Sequence, residues 1–227
     1  MQKRVVVISL GGSLIVPEDI DADFLKKFKD IILKNTDKHK FVIVCGGGSI
    51  ARKYISALQN QSEYIKSLAG IAVTRLNARF ISYFFNQDPE KGIPHNMEQV
   101  KNLLEKNDMV FCGALRYAKK ETSDATAVKL AHFLETDFIN LTNVQGLYDK
   151  NPLTNKNAHF IAKTTWLDLE KRANKLKYRP GQHFVIDQHA SELIREHKIK
   201  AYILGKNLKN FERLIKGKSF VGTIIAG

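Results

Sequence analysis

Several features that point to whole classes of protein are scarce in this sequence. Only two cysteines, Cys45 and Cys112, occur in 227 residues, and both stand in apolar stretches without a metal-ligand spacing. The fold therefore does not depend on disulfides or zinc, and we expect two buried, reduced thiols. No run of 18 apolar residues and no signal-peptide pattern occurs, so the sequence predicts a cytoplasmic protein without a membrane span.

Acidic residues are in the minority, and the basic ones are not clustered. Lys and Arg number 36 against 23 Asp and Glu, which gives a formal net charge of +13. Neither a block of six basic residues nor an aromatic-and-basic RNA-binding pattern occurs. Nucleic-acid binding therefore ranks last among our hypotheses, because anionic small substrates such as phosphorylated metabolites account equally well for the sign of the charge.

Apolar, strand-like stretches alternate with helix-like ones along the chain. This alternation predicts an α/β fold with a largely parallel sheet and helices on both faces. No internal repeat or low-complexity linker divides the sequence, so we expect one domain over residues 1–227. Predicted strands cover residues 4–10, 41–45, 109–113, 137–142, 200–204 and a last one near 223; predicted helices cover 21–35, segments from 49 to about 86, 96–107, 123–135, 166–175, 187–197 and 208–217.

Glycines follow the first two predicted strands. Gly46 to Gly48 connect a buried strand to a basic, helix-compatible segment, and Gly11 and Gly12 stand at the end of the first strand. Glycine lets the backbone approach a ligand closely, and the start of a helix presents unpaired N–H groups with partial positive charge. The pair of turns favours binding of phosphate groups at the carboxyl edge of the sheet, although both could be structural turns.

Gly46, Gly48 and Ala51 also fit the G-x-G-x-x-G/A pattern of dinucleotide-binding folds. That pattern requires an acidic residue at the end of a second strand, about 20 positions further on. Glu63 is the nearest candidate, but it stands in a stretch that reads as loop and helix. We therefore do not expect dinucleotide binding.

Other loops carry residues that suit phosphate chemistry. Arg52 follows Gly48 by about one helical turn, which directs its charge toward the glycine loop, whereas Lys53 could be an ordinary exposed residue. Thr122, Ser123 and Asp124 begin a predicted helix, where they could be caps or ligands of phosphate and magnesium. Further along, Thr142 and Asn143 end a strand, and Tyr148 could stack on a base or cover the edge of the core.

Taken in order, these loops resemble the amino acid kinase family, and within it the archaeal-type uridylate kinases. The resemblance spans nearly the full length and rests on the stretches LGGSL, GGGSIARKYI, GIAVTRLNA, TSDATAVKLA, TNVQGLYDKNP, VIDQHASELI and GTII. It implies an αβα sandwich around a mainly parallel sheet, in a protein that is usually a hexamer. It also implies transfer of the γ-phosphoryl group of Mg-ATP to UMP, with the acceptor on residues 1–135 and ATP on residues 136–227.

The resemblance further implies roles for individual residues. The catalytic set is Asp124, Arg52 and, by hypothesis, Lys119 and Lys120. The ATP-binding set is Gly11, Gly12, Ser13, Gly48, Arg52, Thr142, Asn143, Tyr148, Asn151 and Asp187. The acceptor-binding set is Gly47, Ser67, Gly113, Ala114, Thr122 and Ser123.

The sequence departs from the family pattern at several of these positions. Many members carry lysine where this chain has Ser9, and an acidic residue that holds the UMP ribose where this chain has Ser67. Gln145 and Asn151 replace two carboxylates near ATP. The loop that follows residue 112 is longer than usual and adds basic residues, so Lys119 or Lys120 could take the γ-phosphate role that Ser9 cannot fill.

These departures leave three hypotheses besides nucleic-acid binding. The first is a UMP kinase. The second is a kinase of another phosphorylated or carboxylated small molecule, which the change at Ser67 favours. The third is a nucleotide-binding regulatory protein without turnover, favoured by Ser9, Gln145 and Asn151.

Overall fold

The computed structural model of this chain describes residues 3–87, 92–118, 121–175 and 185–227. The strands are β1 (Arg4–Leu10), β2 (His39–Cys45), β3 (Met109–Cys112), β4 (Phe138–Leu141), β5 (Leu147–Tyr148), β6 (Phe160–Ile161), β7 (Lys163–Thr164), β8 (Ala201–Leu204) and β9 (Thr223–Ile225). The helices are α1 (Gly12–Ile15), α2 (Ala22–Leu33), α3 (Gly48–Ala57), α4 (Glu63–Phe84), α5 (Met97–Lys106), α6 (Ser123–Phe133), α7 (Trp166–Asn174), α8 (Gln188–Glu196) and α9 (Leu208–Ile215).

Within the described residues, seven strands form the central sheet, in the order β3-β2-β1-β4-β8-β9-β7. The first five of these are parallel, and β1 at the centre pairs Ile8 with Ile43 of β2 and Ile139 of β4. Val7, Ile8 and Leu10 are fully buried, because β1 lies inside the sheet and helix α6 packs on it. The predicted mainly parallel sheet is thus confirmed, with β9 antiparallel to β8 at one side.

Helices flank the sheet in two layers, as the predicted αβα sandwich requires. Phe28 of α2 contacts Phe211 of α9 and Phe85, which follows α4, with ring centroids 5.9 and 6.1 Å apart. A separate set of helices, with α6 packed on β1, β2 and β4, continues into α8 and α7. Cys45 and Cys112 are buried free thiols, as expected, and burial raises the pKa of Cys112 to about 12.

Three features of the fold were not anticipated from the sequence, one of them being the two-residue strand β7. β5 and β6 pair as a small antiparallel sheet of two residues each, too short to give a period-two pattern. The first glycine turn leads at once into α1, a single turn of helix. No helix in the described ranges is long and apolar enough to cross a membrane.

Candidate functional site

A cavity of about 620 Å³ opens at the carboxyl ends of β1, β2 and β4. It is lined by loops from both halves of the chain, because parallel strands place the loops that follow them at one edge. Twelve of the residues predicted from the sequence line it: Gly11, Gly12, Ser13, Gly47, Gly48, Arg52, Ser123, Asp124, Thr142, Asn143, Tyr148 and Asn151.

The two glycine turns meet inside this cavity. A Cβ atom built on Gly12 would lie 2.0 Å from the backbone nitrogen of Gly48, and one on Gly48 would lie 2.5 Å from the carbonyl oxygen of Gly12. Gly48 also has a φ of 62°, a conformation that side chains rarely allow. The glycines therefore permit the crossing of two backbones as well as close approach to a ligand.

The helices that begin at these turns lack side-chain caps. Gly11 precedes α1 and Gly47 precedes α3, and neither can accept a bond from the first turn. Each of the other helices in the described part of the chain has an Asp, Asn, Ser or Thr cap. The first N–H groups of α3 therefore have no side-chain cap, and Gly47 and Gly48 at this helix start line the cavity, where an anion could accept from them. The N–H of Gly11 itself is not available, because it donates to Leu141 in the sheet (2.9 Å).

Arg52 lies one turn into α3 and lines the cavity beside these N–H groups. Its guanidinium forms no hydrogen bond or ion pair with any residue in the described ranges. A cation without an acid partner at an uncapped helix start suits a phosphate group, which accepts two parallel bonds from a guanidinium.

Asp124 lies in the first turn of α6 and lines the cavity. The Ser9 hydroxyl donates to its Oδ1 atom at 2.6 Å. Burial, together with the negative charge of Asp187, raises the pKa of Asp124 to about 7, although the hydrogen bond from Ser9 acts in the opposite direction. A carboxyl group with such a pKa gains from any cation that is brought beside it.

Both carboxylate oxygens of Asp187 accept hydrogen bonds that stabilise the fold. It caps α8 by accepting from the N–H of Ala190 at 2.9 Å, and its other oxygen accepts from the Thr122 hydroxyl at 2.5 Å. Thr122 in turn caps α6 by accepting from Ala125. Burial raises the pKa of Asp187, and these hydrogen bonds oppose the increase. The hydrogen bond between Thr122 and Asp187 therefore connects the start of α6 to the start of α8.

Another part of the cavity wall is formed by the aromatic ring of Tyr148 and the side-chain amide of Asn151. The ring of Tyr148 meets Phe160 edge-on at 5.5 Å, and its hydroxyl lies 3.5 Å from the side-chain oxygen of Gln145. Asn151 folds its side-chain oxygen onto the N–H of Leu153, which shapes the loop. Leu153 lines the cavity although it is largely exposed. A planar base can lie against such a wall.

Five predicted residues do not line the cavity: Ser67, Gly113, Ala114, Thr122 and Asp187. The Ser67 hydroxyl donates to the carbonyl of Glu63 in its own helix. Lys119 and Lys120 lie outside the described residues.

Gly113 and Ala114 pack on α4. The Ala114 N–H donates to the Thr74 hydroxyl at 2.9 Å, and Arg75 donates to the carbonyl oxygen of Ala114 at 3.1 Å. A Cβ on Gly113 would lie 2.5 Å from the backbone of Thr74, so this loop follows α4 closely.

Sequence reasoning missed other residues of the cavity. Asn140 is 2% exposed in β4, and its amide donates to the carbonyl of Val185, which also lines the cavity. A polar residue inside an apolar strand was the available signal. Lys150 lies in the same lining and brings a second cation. Nothing in its sequence context set it apart from the other lysines.

The residues present fit a magnesium ion that arrives with a nucleotide. No group of three or more His, Cys, Asp or Glu that could hold a metal by itself occurs among the described residues. Mg²⁺ is usually held by one or two carboxylates together with the phosphates of its substrate. Asp124 at the cavity wall is the carboxylate placed to contribute to such a site.

The sequence model of the amino acid kinase family matches residues 4–205 of this chain. The chain belongs to the amino acid kinase family. Two archaeal family members named uridylate kinase are each 32% identical to it: that of Thermococcus kodakarensis covers 97% of this chain and 98% of its own length, and that of Archaeoglobus fulgidus covers 97% and 99%.

Solved structures of the amino acid kinase family agree with the fold described above. The crystal structure of uridylate kinase from Archaeoglobus fulgidus superposes with a TM-score of 0.82 at 31% identity, over 98% of this chain and all of that one. UMP kinase from Ureaplasma parvum has a TM-score of 0.80 at 22% identity, over all of both chains, which supports the fold alone.

Proposed function

We propose that this protein is a uridylate kinase, which transfers the γ-phosphoryl group of Mg-ATP to UMP and yields UDP and ADP for pyrimidine nucleotide synthesis in the cytoplasm. Relatives of that name cover 97% of the chain at 32% identity. The enzyme class is a nucleoside monophosphate phosphotransferase.

One observation carries this proposal: an uncapped helix start and a guanidinium without a partner among the described residues line the same cavity. The first turn of α3 supplies N–H donors, and Arg52 supplies a full charge one turn later. Phosphoryl transfer requires that charge on the equatorial oxygens be stabilised while two anions are held in line. These groups can do so without any covalent step on the protein.

Phosphoryl transfer to UMP requires few other side-chain groups. The atom of UMP that accepts the phosphoryl group is a phosphate oxygen. Because this oxygen is already ionised at neutral pH, no general base is required. Magnesium, when bound with ATP, neutralises phosphate charge. Asp124 would orient that cation, and Ser9 would hold the Oδ1 atom of Asp124 in place through the 2.6 Å hydrogen bond.

The assignments to substrates form part of the proposal. Residues 1–135 would hold the acceptor and residues 136–227 would hold ATP, whose base would lie against Tyr148 near Asn151. Of the acceptor-binding set, Gly47 and Ser123 line the cavity, whereas Ser67, Gly113, Ala114 and Thr122 do not. Thr74 and Arg75 would act as positioning residues, because they fix the loop that begins at Gly113.

A second candidate is a kinase of another small phosphorylated or carboxylated acceptor. Ser67 favours it, because its hydroxyl is bonded within α4 at 2.8 Å and supplies no carboxylate for a ribose. The basic residue Arg116 in the acceptor loop would suit a more strongly charged acceptor.

A coupled assay of ADP release tests both candidates. Mg-ATP would be combined with UMP, CMP, dUMP, AMP or isopentenyl phosphate. Turnover mainly with UMP is the expected result. Turnover with a different acceptor would establish the second candidate, and nucleotide binding without ADP release, from folded protein, would favour a regulatory role. Asp124→Asn serves as the background control.

We also propose that the protein is a homo-oligomer, a hexamer by family resemblance. One exposed face of α4 carries the apolar residues Ile65, Leu68, Ala72 and Leu76, and Tyr83 continues it beyond the exposed Arg79. Spacings of three or four residues, and of seven between Leu76 and Tyr83, keep these side chains on one stripe of the helix. A second copy of the chain would bury this stripe in a symmetric contact.

A further inference from the structure

A second cavity lies at the opposite edge of the sheet. It measures about 270 Å³ and is lined by the first residues of β1, β2 and β8 and by the segment that follows α9. The seven residues of β1 separate this edge from the catalytic cavity, a distance of about 20 Å for an extended strand. A ligand here would not touch ATP or its acceptor.

Positive charge dominates the polar lining. Arg4, Lys200 and Lys218 face the cavity with one carboxylate, Asp137, which Arg4 contacts at 2.6 Å. Lys218 forms no ion pair in the part of the chain that the structure describes, although its charge helps to lower the pKa of Glu212. Lys200 lies 5.6 Å above the ring of Tyr202, and its hydrogen bond to Tyr202 raises the pKa of Lys200, so it is charged at neutral pH.

Aromatic rings form part of the wall. Tyr202 and Phe220 both line the cavity, with ring centroids 6.0 Å apart at an interplanar angle of 71°. The Tyr202 hydroxyl lies 3.4 Å from the carboxylate of Asp137, which fixes the ring. A ring edge next to a ring face offers a place for one more planar group.

His39 adds an independent sign of a ligand. This residue begins β2, is 8% exposed and lines the cavity. Its Nδ1 atom is buried without a hydrogen-bond partner, and it is the one such side-chain atom found among the described residues. Burial lowers the pKa of His39, which favours the neutral ring, although a hydrogen bond with the Asn35 backbone acts in the opposite direction; a nitrogen of a neutral ring can donate or accept one bond. Buried polar atoms are normally paired.

We propose that this cavity is a second binding site, for a small anion that carries one planar ring. The cations bind the anionic group, the aromatic pair holds the ring, and His39 pairs with a polar atom of the ligand. The volume lies at the lower limit for ligand pockets, which excludes a nucleoside triphosphate. The anionic group is a phosphate or a carboxylate.

Calorimetric titration of the full chain tests the site. Phenyl phosphate, benzoate and inorganic phosphate are the probes, each with saturating Mg-ADP present so that the catalytic cavity is occupied. We expect a saturable site for the ring-bearing anions and weaker binding of inorganic phosphate. Tighter binding of phenyl phosphate assigns a phosphate ligand, and tighter binding of benzoate assigns a carboxylate.

Two matched variants locate the binding. Lys218→Ala removes an exposed, unpaired cation of the cavity and is expected to raise the Kd by about fivefold or more. Lys216→Ala removes a lysine two residues away that pairs with Glu212 at 2.6 Å and does not line the cavity, so its Kd should match that of the wild type.

Three results would overturn the site. They are no saturation by either ring-bearing probe up to about 10 mM, equal affinity in Lys218→Ala and the wild type, and displacement of the probe by Mg-ADP. A change in the fluorescence of Trp166 gives a second readout, because its indole N–H donates to Ile199, next to Lys200, and the chain has no other tryptophan. The titration does not depend on kinase turnover, so its result tests the second site separately from the proposed activity.

Discussion

Arg52 is the residue whose removal should affect catalysis most directly. It is unpaired among the described residues and lies beside the uncapped start of α3. Arg52→Ala is expected to lower kcat/KM for Mg-ATP and UMP by about 100-fold, the cost of losing one preorganised donor to transition-state charge. Release of ADP under initial-rate conditions measures it.

Lys53→Ala is the matched control, because Lys53 is the next residue of α3 but is exposed and does not line the cavity. Its kcat/KM should equal that of the wild type. An equal loss in both variants would mean that α3 contributes only general positive charge, contrary to the role given to Arg52.

The raised pKa of Asp124 predicts how the stability of the protein depends on pH. Its pKa is raised to about 7, so the folded protein holds a proton that the unfolded chain releases near its ordinary pKa. Stability from this group is therefore present at low pH and is lost as the pH rises through about 7. Asp124→Asn, which keeps a polar group beside Ser9, should be more stable than the wild type at pH 8 by about 1–3 kcal/mol.

Chemical denaturation without magnesium or nucleotide, at pH 5 and pH 8, measures this difference. The advantage of Asp124→Asn should be clearly smaller at pH 5, where the carboxyl group of the folded wild type is protonated, and should vanish only near pH 4, where the unfolded chain is protonated as well. A constant difference at both values would contradict the raised pKa and would leave only a change in packing.

At the scale of elements, the crossing of the two glycine turns determines where the cavity forms. Gly48→Ala adds a Cβ at a φ of 62° and only 2.5 Å from the carbonyl oxygen of Gly12. We expect a loss of about 2–4 kcal/mol in the free energy of unfolding, from backbone strain and displacement of the facing loop. Urea denaturation measures it, and kinase activity should fall as the loops separate.

Comparison with Gly217→Ala separates the cost of backbone strain from the cost of displacing the facing loop. Gly217 has a φ of 66°, but a Cβ there would meet no atom within 4 Å. This variant should lose only the cost of the left-handed conformation, about 1 kcal/mol. If Gly48→Ala were no worse than Gly217→Ala, the backbone crossing would not contribute to stability.

The elements that sequence reasoning found are those with a long apolar pattern or a glycine signal. β1 and β2, the helices after them and both glycine turns lie where they were predicted. β5 and β6 were missed because two residues carry no period, and their position depends on contacts with distant segments such as Thr223, whose hydroxyl accepts from Leu147 at 2.8 Å.

The candidate site could be anticipated only where its residues stand next to strand ends. Arg52 and Asp124 were found because they follow a glycine turn and a cap-like cluster. Asn140 was missed because its role is a bond to Val185, 45 positions away, and that contact exists only after β4 has been placed in the sheet. Ser67 was placed at the site by resemblance, whereas its side chain is bonded within α4 away from the cavity.

At the scale of the whole molecule, the apolar stripe of α4 predicts self-association. The stripe from Ile65 to Tyr83 is about 27 Å long at 1.5 Å per residue, with Arg79 as its one charged position, and large exposed apolar patches mark interaction sites. Leu76, at its centre, is 56% exposed. Leu76→Asp should place a charge in the contact and reduce the sedimenting mass to about half or less of the wild-type value.

Leu167→Asp provides the comparison, because Leu167 of α7 is 51% exposed and lies outside the stripe. Its sedimenting mass should remain that of the wild type in analytical ultracentrifugation. The folded state of both variants can be compared by circular dichroism, so that loss of association is distinguished from unfolding. A wild-type protein that sediments as a monomer would contradict the oligomer, and dissociation of both variants would move the contact away from α4.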